Sequence, residues 1–156
     1  MCLVPVDGTD FCINEPKPFW PGCESFKFNG PDDHYDAALC ICTGHIVWIN
    51  GPNPCGQWPD LKIFRHALMG ELLDGEKVEA DLGYRGENLY INEFNIFLSE
   101  RGQRQKYLAH ARHETVNKRF KQSNCLQRFF WHNLGKHGLV FQAVASITQL
   151  AIENGE

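Results

Sequence analysis

Two apolar segments joined by a short turn are the feature that most constrains the fold of this chain. Residues 34–42 and 45–50 are rich in apolar side chains, and Thr43 and Gly44 lie between them. This pattern predicts a β-hairpin, because two strands joined by so short a turn run antiparallel. The sheet that contains the hairpin therefore includes antiparallel strands.

Helices and strands follow one another along the rest of the chain, which predicts a single mixed α/β domain over residues 1–156. Loops are expected at 14–33 and 51–59, which are rich in Pro and Gly, and 88–100 is ambiguous, with a short helix as one option. The other predicted strands are 3–13, 77–80 and 106–109, and the predicted helices are 61–73, 112–131 and 137–153.

The composition indicates an ordinary globular domain without a membrane span. Apolar residues make up 43% and charged residues 22% of the chain, and no apolar run is long enough to cross a bilayer. The first ten residues have no basic start, so we expect no signal peptide. Seven cysteines without regular spacing predict reduced thiols in a cytosolic or nuclear protein.

Positive charge is concentrated in one segment. The net charge of the chain is −4, yet residues 101–128 contain eight Lys or Arg side chains and a single acid, Glu114. A polyanion such as DNA responds to local charge, because salt screens electrostatic fields within about 10 Å. The segment therefore predicts either a nucleic-acid contact or a solvated basic face that is balanced by acids elsewhere.

Three acidic residues stand where α/β proteins tend to place reactive groups. Asp7 follows an apolar strand segment, Asp81 follows the strand predicted over 77–80, and Glu114 lies in the first turn of the predicted helix 112–131. Three carboxylates from separate elements suit a hard cation such as Mg²⁺, and two such ions about 4 Å apart can stabilise both the attacking and the leaving oxygen of a phosphoryl transfer. Each acid also has a structural explanation, as a turn residue or as a partner of the helix dipole or of a basic neighbour.

Four segments carry a resemblance to a known family. In chain order they read VDGTDFCINEP, GHIVWINGPNPCGQWPDLKIFR, VEADLGYRGE and RHETVNKRFK. As an ordered set they resemble the catalytic domain of DDE transposases (DDE superfamily endonucleases), above all the Harbinger-type group and its bacterial insertion-sequence relatives. The most specific features are D-G-T at the start, A-D-x-G-Y in the middle, and R-x-E with a Lys seven residues after the Glu. The resemblance extends from Asp7 to the end of the chain.

The resemblance implies an RNase H-like fold, in which a mixed five-stranded sheet is flanked by helices. The first acid of such domains lies on the first strand, the second at the end of the fourth strand and the third on a late helix, and the matching residues here are Asp7, Asp81 and Glu114. These carboxylates would bind Mg²⁺ or Mn²⁺, with two ions as the expected number. The implied activity is that of a DNA transposase: metal-dependent strand cleavage followed by transfer of the new 3′-OH end to target DNA.

The same resemblance implies that basic residues around Glu114 contact DNA phosphates. Lys121 matches the family's Lys and Arg112 its Arg, although Arg112 can instead orient Glu114. The implied partners are transposon-end and target DNA, a separate Myb-like DNA-binding protein and, as an option, a second copy of the chain; no membrane contact is expected. Since six residues precede Asp7, we expect the N-terminal DNA-binding region of the group to be missing. The implied location is the nucleus, or the cytoplasm of a prokaryote. The predicted DNA contacts are Arg112, Lys118, Arg119 and Lys121.

Two other functions remain open at this point. A transposase-derived module without catalytic activity would bind DNA or protein but would not cleave DNA. A general RNase H-like nuclease would cleave RNA–DNA hybrids or structured DNA and would perform no strand transfer.

Three other polar residues have structural explanations. Asp60 matches a family Asp but also fits a helix N-cap, Asp10 is expected to be a polar strand residue, and Tyr84 is expected to pack on the sheet. Cys40 and Cys42 are too closely spaced for the usual zinc-binding pair, and His110 and His113 lack a paired Cys or His at ligand spacing, so no zinc site is expected.

Overall fold

The predicted hairpin forms one side of a mixed β-sheet. A computed structural model of the chain describes residues 3–25, 27, 29–84, 86–87, 90–92, 99–127 and 129–155. In these residues the sheet has six strands, of which the second and the last are two residues long. The strands are β1 (Leu3–Cys12), β2 (Glu24–Ser25), β3 (Gly30–Leu39), β4 (Ile46–Pro54), β5 (Lys77–Glu79) and β6 (Ile91–Asn92).

The sheet is antiparallel on one side of β1 and parallel on the other. β3 pairs antiparallel with β1 and β4, and the short β2 pairs with the first residues of β3. On the other side, β5 runs parallel to β1 and β6 runs parallel to β5. The strand order is therefore β2-β3-β1-β5-β6, with β4 also paired to β3. This arrangement confirms an α/β domain with a mixed, partly parallel sheet.

The helices lie on both faces of this sheet. The last of them has the predicted bounds, and the first continues without interruption through a π-helical turn, Phe64–Leu68, and a 3₁₀ turn, Met69–Glu71. No helix in the described parts of the chain has the length and apolarity needed to cross a bilayer. The helices are α1 (Asp60–Ile63), α2 (Glu100–Gln122), α3 (Asn124–Gln127) and α4 (His137–Glu153).

Two hydrophobic clusters hold the helices against the sheet. Because side chains alternate along a strand, Ala37 and Ala38 of β3 face opposite sides. Ala37 belongs to a cluster with α2 and α4, in which Phe120 and Phe141 are buried. Ala38 belongs to a second cluster with the turns that follow α1, including Phe64. The sheet is thus the middle layer of the domain.

Helix α2 begins twelve residues before the predicted start, and the strand predicted over Lys106–Ala109 lies inside it. The first turns of α2 are mostly polar, so they lack the apolar spacing that reveals a helix in a sequence. Ser99 caps the helix by accepting a hydrogen bond of 3.3 Å from the Gly102 amide. The buried stripe that attaches α2 to the domain is Ala109, His113, Val116 and Phe120.

Two structural explanations for acidic residues are wrong. Glu114 lies in the middle of α2, too far from the N-terminus of the helix to interact with its dipole. Asp60 is the first residue of α1, and the N-cap position is taken by Pro59 in an extended conformation. The helix dipole therefore does not explain Glu114, and an N-cap does not explain Asp60.

The hairpin strands are longer than predicted at their outer ends. β3 starts at Gly30 and β4 ends at Pro54, so parts of the predicted loops 14–33 and 51–59 are strand. Among the described strands β4 pairs only with β3, and such an edge position tolerates proline because one row of backbone N–H groups needs no partner. In the ambiguous segment, β6 occupies 91–92, and residues 88–89 and 93–98 lie outside the described residues.

Candidate metal-binding cleft

A cleft opens where β1 and β5 separate. β5 pairs with β1 only from Leu3 to Pro5, so the following part of this edge of β1 has no neighbouring strand in the described residues. The cleft has a volume of about 290 Å³. Because the edge is open, side chains from both faces of β1 reach the cleft. The carboxylates that line it are Asp7, Asp10, Asp60 and Asp81.

Asp7 is held in place by two hydrogen bonds. Its Oδ1 accepts a bond of 2.9 Å from the Gly8 amide, and its Oδ2 accepts a bond of 2.9 Å from Nδ2 of Asn117 on α2. Burial raises the pKa of the Asp7 carboxyl above its ordinary value, and the charge of Asp81 raises it further. The two acids predicted from separate strands are therefore close enough to repel each other.

Asp81 and Asp60 converge over a glycine. Oδ1 of Asp81 accepts a hydrogen bond of 2.8 Å from the Gly83 amide. A β-carbon at position 83 would collide with Oδ2 of Asp60 and would lie 3.1 Å from Oδ1 of Asp81. Burial raises the pKa of Asp60, and the charges of Asp36 and Asp81 also raise it, against the opposing effect of His34. A cation between these carboxylates would relieve their mutual repulsion.

Glu114 lies on the face of α2 that borders Asp7. Positions 110, 114 and 117 share one face of a helix. Asn117 bonds to Asp7, and His110 is close enough for its charge to act on Asp7. The Glu114 side chain itself is exposed and is not among the described residues that line the cleft. The structure thus brings Asp7 and Asp81 together and leaves Glu114 at the surface of the adjacent helix.

The four basic residues predicted to contact DNA fall into two pairs. Lys118 and Lys121 are exposed, and Lys121 is near enough to Cys12 for its charge to act on that thiol. Arg112 and Arg119 are half-buried, and the Arg112 guanidinium donates a hydrogen bond to the Ile41 carbonyl. Arg112 and Glu114 are two positions apart on α2, and residues with this spacing do not face each other on a helix. The structure therefore does not favour Arg112 as the group that orients Glu114.

His34 is the centre of the polar network on the other side of the cleft. Its Nδ1 lies 2.5 Å from Oδ1 of Asp10, and its Nε2 lies 3.3 Å from Oδ1 of Asp36 and 3.5 Å from Oδ1 of Asp60. Burial lowers the pKa of His34, but the hydrogen bonds and charges of Asp10 and Asp36 outweigh burial and raise it to about 10. The imidazole is therefore a cation at neutral pH.

The network extends to Tyr84. The Tyr84 side chain is buried against the sheet, as predicted, and its hydroxyl donates a hydrogen bond of 2.6 Å to Oδ1 of Asp36. Burial raises the pKa of this hydroxyl, and the Asp36 charge raises it further. Tyr84 therefore stays neutral, and its hydrogen bond holds the Asp36 carboxylate in place.

Sequence reasoning missed Asn117, His34 and Asp36 as parts of this site. Asn117 carries a weak signal, because it is a polar residue three positions after Glu114 on the same helix face. His34 and Asp36 carry a stronger one. They lie beside Tyr35, Ala37 and Ala38 in a segment that is predicted to be a buried strand. Charged residues are rarely buried in a strand unless they are paired.

Comparisons with known proteins add no assignment. A scan of the chain against protein-family models found no match, and a search of curated proteins also found none.

Proposed function

We propose that this chain is the catalytic domain of a DDE-type DNA transposase, which cleaves DNA and transfers the cut strand with the help of two Mg²⁺ or Mn²⁺ ions. The observation that carries the proposal is the pair formed by Asp7 and Asp81, which face each other in one open cleft although 74 positions separate them in the sequence. These are two of the three acids that the family resemblance selects. Asp60 lies beside them and adds a further carboxylate.

The strand order supports the same proposal. Three antiparallel strands, β4, β3 and β1, are followed by the parallel strands β5 and β6, with helices on both faces. An RNase H-like domain has this kind of mixed sheet, with its first acid on the first strand. The first strand here carries Asp7, and Asp81 follows β5.

The donor atoms fit a hard cation. Asp7, Asp60 and Asp81 line the same cleft and offer carboxylate oxygens, the ligands that Mg²⁺ and Mn²⁺ prefer. We assign Asp7, Asp81 and Glu114 as the protein ligands, with Glu114 turning from the helix surface toward Asp7. Bound there, the ions would lower the pKa of an attacking water and stabilise the leaving oxygen of the DNA phosphodiester.

The residues of the chain would orient and hold the reactants. Hydrogen bonds from the Gly8 amide and from Asn117 fix the orientation of the Asp7 carboxylate, which lines the cleft. Lys118 and Lys121, exposed on the helix that carries Glu114, would bind the DNA backbone through salt-dependent contacts. In this proposal the protein works on DNA in the nucleus, or in a prokaryotic cytoplasm, and a Myb-like partner would supply recognition of transposon ends.

Metal-dependent cleavage of DNA tests the proposal. We expect the purified chain to nick supercoiled DNA with Mn²⁺ or Mg²⁺, and we expect Asp81→Asn and Glu114→Gln to abolish the reaction. Asp74→Asn and Glu100→Gln are matched controls, since both acids are exposed and stand outside the cleft. Cleavage that survives in Glu114→Gln would contradict the assignment of the third ligand.

A non-catalytic DNA-binding module is the second candidate, and two observations favour it. Glu114 is exposed outside the cleft, and one oxygen of Asp7 already accepts a hydrogen bond from Asn117. This candidate predicts DNA binding that needs no divalent metal and is unchanged by Asp81→Asn. Cleavage restricted to RNA–DNA hybrids would instead indicate a general nuclease.

A further inference from the structure

Three chemically different donor atoms meet on the His34 side of the cleft. They are Oδ1 of Asp10 on β1, a ring nitrogen of His34 on β3, and Sγ of Cys55, which directly follows β4. All three atoms lie within 4.8 Å of one another. Asp10 and Cys55 are half-buried and His34 is buried, so the group is shielded from solvent on most sides.

The donor set distinguishes this group from the carboxylates of Asp7 and Asp81. A thiolate and an imidazole are preferred by zinc and cobalt, whereas magnesium takes oxygen ligands. Three protein ligands with a fourth position open to a cleft is the arrangement of zinc sites that bind water or substrate. The cleft beside Asp10 and Cys55 provides that open position.

The spacing is compatible with tetrahedral coordination. Metal–ligand distances of about 2.0 Å for nitrogen and oxygen and 2.3 Å for sulfur place neighbouring ligand atoms about 3.3–3.5 Å apart. Sγ of Cys55 lies 3.6 Å from Oδ1 of Asp10, close to such an edge. Nδ1 of His34 is hydrogen-bonded to the same oxygen at 2.5 Å, so that pair would have to open by somewhat less than 1 Å.

The second nitrogen of His34 already has the partner that a ligating histidine needs. Nε2 lies 3.3 Å from Oδ1 of Asp36, a carboxylate that is 1% exposed. Histidines that bind metal through one nitrogen usually donate from the other to a carboxylate or carbonyl, which fixes the ring. The Tyr84 hydroxyl holds Asp36 in turn. The ring orientation is therefore set before any ion arrives.

Charge balance also permits an ion here. A divalent metal would take the place of one proton on His34 and one on the Cys55 thiol, so the total charge of the group would not change. The carboxylates of Asp10, Asp36 and Asp60 would keep a cationic centre between them, as they now do with the imidazolium. Metal binding thus requires no new buried charge.

We propose that Asp10, His34 and Cys55 form a binding site for Zn²⁺ or a related divalent transition metal, separate from the carboxylate site of Asp7 and Asp81. The ion would join β1, β3 and the segment after β4. Its open coordination position would face the same cleft. This site does not depend on the proposed transposase function, since it uses none of the residues assigned to that reaction.

Cobalt absorption tests the proposal directly. Co²⁺ titrated into the reduced, metal-free chain should occupy this site at one ion per chain, with a thiolate-to-cobalt charge-transfer band and the strong visible bands of tetrahedral Co²⁺. Zn²⁺ should abolish these bands stoichiometrically, and excess Mg²⁺ should leave them unchanged. In Cys55→Ser the charge-transfer band should disappear, and in Asp10→Asn the affinity for Co²⁺ should fall at least tenfold.

The matched control is the double variant Cys40→Ser/Cys42→Ser, which removes the closely spaced thiols after β3 and should keep the full cobalt spectrum. Circular dichroism would establish that each variant is folded. The proposal is refuted if the folded chain shows no charge-transfer band with excess Co²⁺. It is equally refuted if folded Cys55→Ser keeps the band. A nuclease-dead Asp81→Asn variant that binds Co²⁺ normally would separate this site from the proposed reaction.

Discussion

Replacing His34 would show how much the buried charge network stabilises the domain. The His34 side chain is only 10% exposed and lies among three carboxylates. In His34→Gln, Asp36 would lose its cationic partner and Asp10 would keep the more distant Lys27, 4.0 Å away, while both carboxylates stay in a largely dry environment. Removing one partner of a buried ion pair costs about 3–5 kcal/mol. We therefore expect the free energy of unfolding at pH 6 to fall by about this amount.

The cost should shrink as the pH rises. His34 has a pKa of about 10 in the folded chain, against the ordinary value of 6.5. Its contribution is therefore complete below pH 6.5 and is lost as the pH rises toward 10, at up to about 1.4 kcal/mol per pH unit. From pH 6.5 to pH 8.5 the difference in unfolding free energy between the original chain and His34→Gln should decrease by about 2 kcal/mol.

Urea unfolding at several pH values, followed by tryptophan fluorescence in the presence of a metal chelator, would measure this difference. Burial raises the pKa of the Cys55 thiol and the Tyr84 hydroxyl, so neither group titrates in the window. His132→Gln is the control, since this histidine is exposed and should change the stability little at any pH. A difference for His34→Gln that stays constant between pH 6.5 and 8.5 would refute the charged form of His34.

Three further substitutions test other parts of the structure. Gly83→Ala should weaken Mn²⁺ binding about tenfold in a calorimetric titration, because the new β-carbon would displace Asp60 from Asp81. Gly70→Ala is the control: a β-carbon at position 70 meets nothing within 4 Å, so this variant should bind Mn²⁺ normally. Equal affinities in the two variants would contradict the convergence of these carboxylates. Phe120→Ala removes a fully buried ring and should lower the free energy of unfolding by about 3–5 kcal/mol in urea. A loss below about 1 kcal/mol would place the core elsewhere. Ser99→Ala should cost about 1 kcal/mol in the same assay, and no change would mean that the cap does not hold α2.

The sequence allowed four strands of the sheet and the last helix to be predicted, because their signals are local. Apolar residues 45–50 follow a turn, and 137–153 has helical spacing, so both appear close to their predicted positions. The start of α2 could not be found this way, because its first turns are mostly polar and lack the apolar spacing that reveals a helix. Asp7 and Asp81 were found through strand ends and family motifs, and the structure places both in one cleft.

The rest of the site depends on contacts between distant parts of the chain. His34 meets Asp10 across the β1–β3 pairing, and Asn117 reaches Asp7 over 110 positions. The local pattern of a single sequence does not indicate which distant residues will come into contact. Asp60 shows the same limit, because its position before a helix suggested a cap and only the folded chain shows it beside Asp81.

The short pairing between β1 and β5 determines how the separation of Asp7 from Asp81 can change. Three residue pairs join the two strands, and they fix the separation of Asp7 from Asp81. Val78 is fully buried in the middle of β5 and is not among the residues that line the cleft, so its effect on the carboxylates would act through the position of the strand. Substitutions along this strand would change the separation of the two carboxylates and, at the proposed metal site, the affinity for the ion. A chain that kept every acidic residue but weakened the pairing of β5 with β1 would keep the carboxylates of the cleft and lose the fixed distance between them.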